Sequence, residues 1–297
     1  MLGWVTAGLF FILLIWGNLV AGMEMGLACP DWPLCHGQFL PPMRVDIWME
    51  FIHRVLAAMA AISLIFLARQ RISLYHGLQK AIPVAALALV AIEILIGGAV
   101  VLLGLPVQLT TVHFMTALAV FLLVLYMAAC DGKTHPAQFS LSGYAGPLFC
   151  VMLLIFSQAS LGAYLRHSGS GLACPDFPTC QGQLIPALWD TPTATNFTHR
   201  LLAVGTLCTT ALLYLASLLD KRLKGRHSGL FTLACLVALQ IGVGAAMVKS
   251  GLSFPITSLH LALTLGIIEM SLRMWLLQMS ETSGVYFSSP SSSLGTR

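Results

Sequence analysis

Charge is what this 297-residue sequence has least of: 9% of its residues are Asp, Glu, Lys or Arg, while 58% are hydrophobic. A soluble domain carries about 25% charged and about 45–50% apolar residues, so charge this scarce cannot cover a water-soluble globule. A soluble enzyme is excluded. Basic clusters are missing as well. The net charge of +4 rests on 15 Lys+Arg against 11 Asp+Glu, with no basic stripe to read phosphate, and nucleic-acid binding is excluded with it.

In place of charge there are long apolar runs. One helical crossing of a bilayer takes about 20 mostly apolar residues. Eight such runs lie near 2–22, 47–68, 81–103, 107–130, 144–165, 196–218, 228–248 and 256–278. The fold class is therefore all-α and integral to the membrane, with eight transmembrane helices. Met1-Leu2-Gly3-Trp4 offers no basic stretch ahead of the first run, which reads as a span rather than a signal peptide. Lys and Arg gather in the connections after runs two (Arg69, Arg71, Lys80), four (Lys133) and six (Lys221, Arg222, Lys224, Arg226). The positive-inside rule assigns these and both termini to the cytoplasm. The long loops 23–46 and 166–195 carry only Arg44 and Arg166 and face outward. A tail over 281–297, with its serine run Ser288 to Ser293, reads as disordered.

The sequence repeats itself. Gly26-Leu27-Ala28-Cys29-Pro30-Asp31-Trp32-Pro33 returns as Gly171-Leu172-Ala173-Cys174-Pro175-Asp176-Phe177-Pro178 at an offset of 145. Glu50-Phe51-Ile52-His53-Arg54 returns as Asn196-Phe197-Thr198-His199-Arg200 at 146, and Glu93 meets Gln240 and His113 meets His260 at 147. The chain reads as two homologous four-helix halves, 1–135 and 136–280. Because four is even, both halves enter the membrane in the same sense, which predicts a pseudo-two-fold along the membrane normal.

Of nine His, five (His36, His76, His135, His167, His227) fall in loops by this reading. His53, His113, His199 and His260 sit inside apolar runs, all about two turns below the outer surface. A lone intramembrane His is as readily a helix-to-helix hydrogen-bonding group. Two per bundle on alternate helices instead match how a four-helix bundle holds a haem, one imidazole on each side of the iron. A Zn or Cu shell is the rival, and two His without a third donor make a poor one. Glu50 could supply that donor in the first half; Asn196 cannot in the second.

Arg54 and Arg200 follow their histidines, and an intramembrane Arg needs an anionic partner. A haem propionate would serve, as would a structural carboxylate or backbone carbonyls. Glu50, three residues before His53, shares its helix face. Its replacement by Asn196 predicts one reactive site and one electron-transfer site. Cys29 and Cys35, like Cys174 and Cys180, can form within-loop disulfides in an oxidising exterior, for bracing or for redox exchange. Cys130, Cys150, Cys208 and Cys235 read as small core residues, and Glu93 and Gln240 as polar packing groups.

Together the paired Gly-Leu-Ala-Cys-Pro-Asp-aromatic-Pro loops, the two His-Arg motifs, and His113 and His260 resemble the haem A synthase family over about residues 1–280. The resemblance implies oxidation of haem o to haem a: a porphyrin methyl is hydroxylated twice and the gem-diol loses water to give a formyl group. It implies a haem b held by His199 and His260, substrate haem at His53 and His113, and Glu50 important for turnover. It implies a multi-pass cell-membrane enzyme that takes haem o from the lipid phase, with haem O synthase (protohaem farnesyltransferase) as donor. The electron partner and any homo-oligomer are left open. The family's Arg before the cysteine loop is kept as Arg166 in the second half but replaced by the stretch Ala21-Gly22-Met23 in the first. The competing expectation is a di-haem cytochrome b-like electron carrier or quinone oxidoreductase subunit; a transporter with repeated halves is weaker, lacking evident broken helices.

Overall fold

Eight apolar stretches become eight helices because in a bilayer each backbone N–H and C=O must be satisfied within its own segment. The computed structural model describes residues 1–133, 139–223 and 225–282. The helices are α1 (Leu2–Gly22), α2 (Val45–Leu74), α3 (Ala81–Leu102), α4 (Val107–Ala129), α5 (Ala145–His167), α6 (Thr191–Leu219), α7 (His227–Lys249) and α8 (Phe254–Thr282). Each contains a stretch long and apolar enough to cross a membrane. Among the described residues there is no strand; Cys35–Gln38 and Cys180–Gln183 form isolated bridges within loops. The expected half-boundary at 135/136, His135 and most of the expected disordered tail lie outside the described residues.

The main difference from the sequence reading is length. Helix α6 begins at Thr191 rather than 196 because Asp190 caps it, accepting from the Thr193 backbone N–H at 2.9 Å, with Pro192 in the first turn. A search for apolar runs passes over such a polar first turn. Helix α2 likewise runs on to Leu74, where Arg71 is buried and donates to the Met127 carbonyl at 2.8 Å.

Helix neighbours follow the same circuit in both halves. Helix α1 packs on α2, α2 on α3, α3 on α4, and α4 returns to α1; α5 to α8 do likewise. The halves meet through α1 with α8, α4 with α5, and α4 with α8. Leu118, Val120, Phe121, Val124, Leu265 and Ile268, each at most 2% exposed, belong to one buried cluster that draws on both halves. Val55, Ile62, Phe66, Leu201, Leu212 and Leu215 point outward, as apolar side chains do when lipid is the solvent. Three cysteines expected in the core are on the outside too. Cys130 is buried, whereas Cys150, Cys208 and Cys235 are exposed, because apolar runs in a membrane protein are apolar on both faces.

Candidate functional site

Four histidines share one register. His53 and His199 are each the ninth residue of their helices, His113 and His260 each the seventh. Every ring packs against a glycine on the preceding helix. A methyl group added at Gly17 would lie 2.8 Å from His53 Cε1; at Gly97, 3.1 Å from His113 Cε1; at Gly162, 3.1 Å from His199 Cε1; at Gly244, 3.3 Å from His260 Cε1. A Cβ would force a shift at Gly17 and demand a few tenths of an ångström of give at the other three, so the glycines let these rings lie against the neighbouring backbone. The glycines repeat at offsets of 145 and 147, against 146 and 147 for the histidines, a signal present in the sequence but informative only once each glycine faces its ring.

All four Nδ1 atoms are buried without an aligned hydrogen-bond partner. His113 Nδ1 nevertheless lies 2.9 Å from Glu93 Oε1, an ion-pair distance off the line of the N–H bond, and the Gln158 backbone lies beside the His199 ring. No Nε2 is hydrogen-bonded to protein, and none is sealed off. Each ring therefore offers an unbonded Nε2 that is not sealed off, and the two rings of a half lie close enough to feel each other's charge. Among the described residues no three His, Cys, Asp or Glu gather as a bare metal ion would require. Imidazoles paired across a bundle without a third converging ligand fit an axially held porphyrin.

Arg54 and Arg200 take the carboxyl, amide and carbonyl partners that the sequence left open beside a propionate. Arg54 donates Nε–H to Glu50 Oε1 at 3.0 Å, Nη1–H to the Asp31 and Leu34 carbonyls at 2.7 and 2.6 Å, and Nη2–H to the Cys29 carbonyl at 3.0 Å. Arg200 repeats this with Asn196 Oδ1 (3.0 Å) and the carbonyls of Asp176 (2.7 Å), Thr179 (2.8 Å) and Cys174 (2.6 Å). A guanidinium has five N–H bonds. Each Arg commits three to the carbonyls of its cysteine loop and one to Glu50 or Asn196 on its own helix, leaving one for a carboxylate.

The loops are built alike. Disulfides join Cys29 to Cys35 and Cys174 to Cys180, with Cα separations of 4.8 and 4.5 Å. Asp31 accepts from the His36 and Gly37 backbone N–H groups (2.6 and 2.7 Å), and Asp176 from those of Gln181 and Gly182 (2.7 and 2.9 Å). The Gly37 N–H first, with that of His36, holds the Asp31 carboxyl below its ordinary value. At Asp176 the Thr179 hydroxyl does so first, followed by the Gly182 N–H.

Glu50 is 5% exposed. Its Oε2 has no protein partner and is not sealed off, and it lies near enough to His113 to act on it electrostatically. Asn196 instead donates its amide to the Ser170 and Gly171 carbonyls at 3.0 and 2.9 Å. A carboxylate has no hydrogen to make those bonds, so this exchange changes both the chemistry and the tie to the loop.

Two residues at the seam of the halves were missed. His167, read as a loop residue, ends α5 and places Nδ1 3.2 Å from the Thr111 hydroxyl on α4. Arg166 Nη2 donates to the Asn18 carbonyl at 3.1 Å and lies against Gly22, where a methyl would come within 2.8 Å of it. Asn18 in turn donates to the Ser258 hydroxyl at 3.0 Å.

These features define a multi-pass membrane protein that carries in each half two histidines on alternate helices, a carboxyl or amide neighbour to each, and an arginine clasp. Residues 1–272 match the COX15-CtaA family model, described as cytochrome oxidase assembly protein. Similar proteins include the heme A synthases of Alkalihalophilus pseudofirmus (30% identical, covering 87% of this chain and 86% of that one), Symbiobacterium thermophilum (29%; 86% and 85%) and Halalkalibacterium halodurans (29%; 87% and 89%). The chain belongs to the COX15-CtaA family of cytochrome oxidase assembly proteins.

Proposed function

We propose that the protein is a haem A synthase, an oxidoreductase of the membrane that converts haem o to haem a. The observation that carries this beyond family membership is the set of four glycine-backed histidines, each with a free Nε2. Substrate haem o is held at His53 and His113, and His199 and His260 would hold a haem b. When bound, that haem supplies a one-electron relay between the substrate site and a redox partner.

The protein's own groups do the rest. Oxidising a porphyrin methyl to a formyl group moves protons at the porphyrin rim, and Glu50 is an ionisable side chain beside that site whose unpaired Oε2 is not sealed off. Arg54 holds it in place, and the one N–H bond left on Arg54 and on Arg200 is available to a propionate. Asn196 cannot carry a proton, which supports electron transfer alone in the C-terminal half. The apolar outer faces of the helices support delivery of prenylated haem o through lipid, from haem O synthase as donor. The disulfide loops face the oxidising exterior, both termini face the cytoplasm, and the halves 1–135 and 136–280 are related by a pseudo-two-fold along the membrane normal.

Extraction and mass spectrometry of the haems from protein co-expressed with a haem O supply tests this. Haem b together with haem o, haem a or a hydroxymethyl intermediate is expected. Haem b alone would refute the synthase and leave the di-haem electron carrier. Glu50→Ala should stop product formation and leave the C-terminal haem spectrum intact; loss of that spectrum would overturn the division of labour.

A further inference from the structure

The halves differ at a second acid-to-amide position besides Glu50 and Asn196. Glu93 on α3 corresponds to Gln240 on α7, and the two side chains go to different places. Glu93 brings Oε1 to 2.9 Å from His113 Nδ1, while its Oε2 is buried with no partner. Gln240 turns its amide to the His260 backbone carbonyl at 2.9 Å and the Thr264 hydroxyl at 2.7 Å, and His260 Nδ1 keeps no partner. The cause is one residue away on the facing helix. Thr264 corresponds to Ala117, which has no hydroxyl to draw Glu93 aside, and a carboxylate has no hydrogen to offer the backbone carbonyl. Glu93 is left at ion-pair distance from His113 Nδ1, 2.9 Å from Oε1.

An imidazole that donates its outer N–H to a carboxylate has a fixed tautomer and ring orientation and is a more basic ligand through its other nitrogen. We propose that Glu93 is a positioning residue for His113, making it the stronger donor of the two sites toward the substrate iron, while His260 is left as an ordinary imidazole. This rests on the assignment of the substrate haem to His53 and His113. A stronger donor stabilises the oxidised iron, so the substrate haem is held at a lower potential than it would have beside an amide, and the two sites are set apart by residues outside the ligand set.

Redox titration of the purified holoprotein, with its haems identified by mass spectrometry in the same sample, tests this. In Glu93→Gln one of the two components should move to higher potential and the other should stay. The pair Gln240→Glu with Thr264→Ala rebuilds the carboxylate geometry in the C-terminal half and should move the other component to lower potential. If Glu93→Gln loses its haem, this reciprocal variant decides alone. Both haems bound with neither potential moved would overturn the role of Glu93 and leave the synthase assignment standing. A sample containing only haem b would instead remove the assignment on which this inference rests.

Discussion

The smallest determinants of the site are hydrogen atoms at Gly17, Gly97, Gly162 and Gly244, where a side chain would collide with a histidine ring. Overpacking of this kind costs about 1–3 kcal/mol when the neighbour cannot move freely. Gly162→Ala should therefore lower haem retention in the C-terminal half and Gly17→Ala in the N-terminal half, each without the other, as measured by haem content per protein. Equal loss in both halves from either variant would show the effect to be global. The histidines themselves were legible in the sequence because a polar residue in an apolar run stands out and the repeat doubled the signal. The encounter of Glu93 with His113 was not. Period 3.6 places a residue on its own helix but says nothing of which neighbour it will face, and these two meet only through the packing of α3 on α4.

The loop and the helix beneath it form one mechanical element, with Arg54 or Arg200 as the pin. The within-loop disulfide pairing was readable from spacing and compartment. The arginine clasp was not, because its acceptors are carbonyls, and every residue has one. Arg200→Lys keeps the charge but loses the planar fork; it should speed hydrogen exchange in the 173–183 loop while leaving α7 protected. The loop also has a pH dependence of fixed sign. Asp31 and Asp176 are held below the ordinary 3.8 by the groups that donate to them. A carboxyl with a depressed folded value stabilises the clasp above its unfolded value, and that contribution is lost as pH falls through the folded one. Loop protection, referenced to intrinsic exchange, should stay level across about pH 5–8 and fall only in acid below 3.8, and Asp31→Asn should blunt the fall.

Across the whole molecule the eight spans were the most legible feature, since hydropathy alone marks them, and the seam was the least. Its tie points are ordinary polar residues at helix ends: Asn18 with Ser258, and His167 with Thr111. A double-mutant cycle on Asn18→Ala and Ser258→Ala, read by thermal unfolding in detergent, should give about 0.5–1.5 kcal/mol of coupling, the net worth of one hydrogen bond. Strict additivity would remove this contact from the forces joining the halves.

Arg166 gives the seam a direction. It enters the space that Gly22 leaves open, where a single methyl would sit 2.8 Å from its Nη2, and the residue matching Gly22 in the second half is His167. Two copies of the C-terminal half, paired as the halves are here, would each drive a guanidinium into an imidazole; two copies of the N-terminal half would bring no guanidinium at all. At this contact the two sides are complementary rather than equivalent, with the guanidinium on one and the room for it on the other.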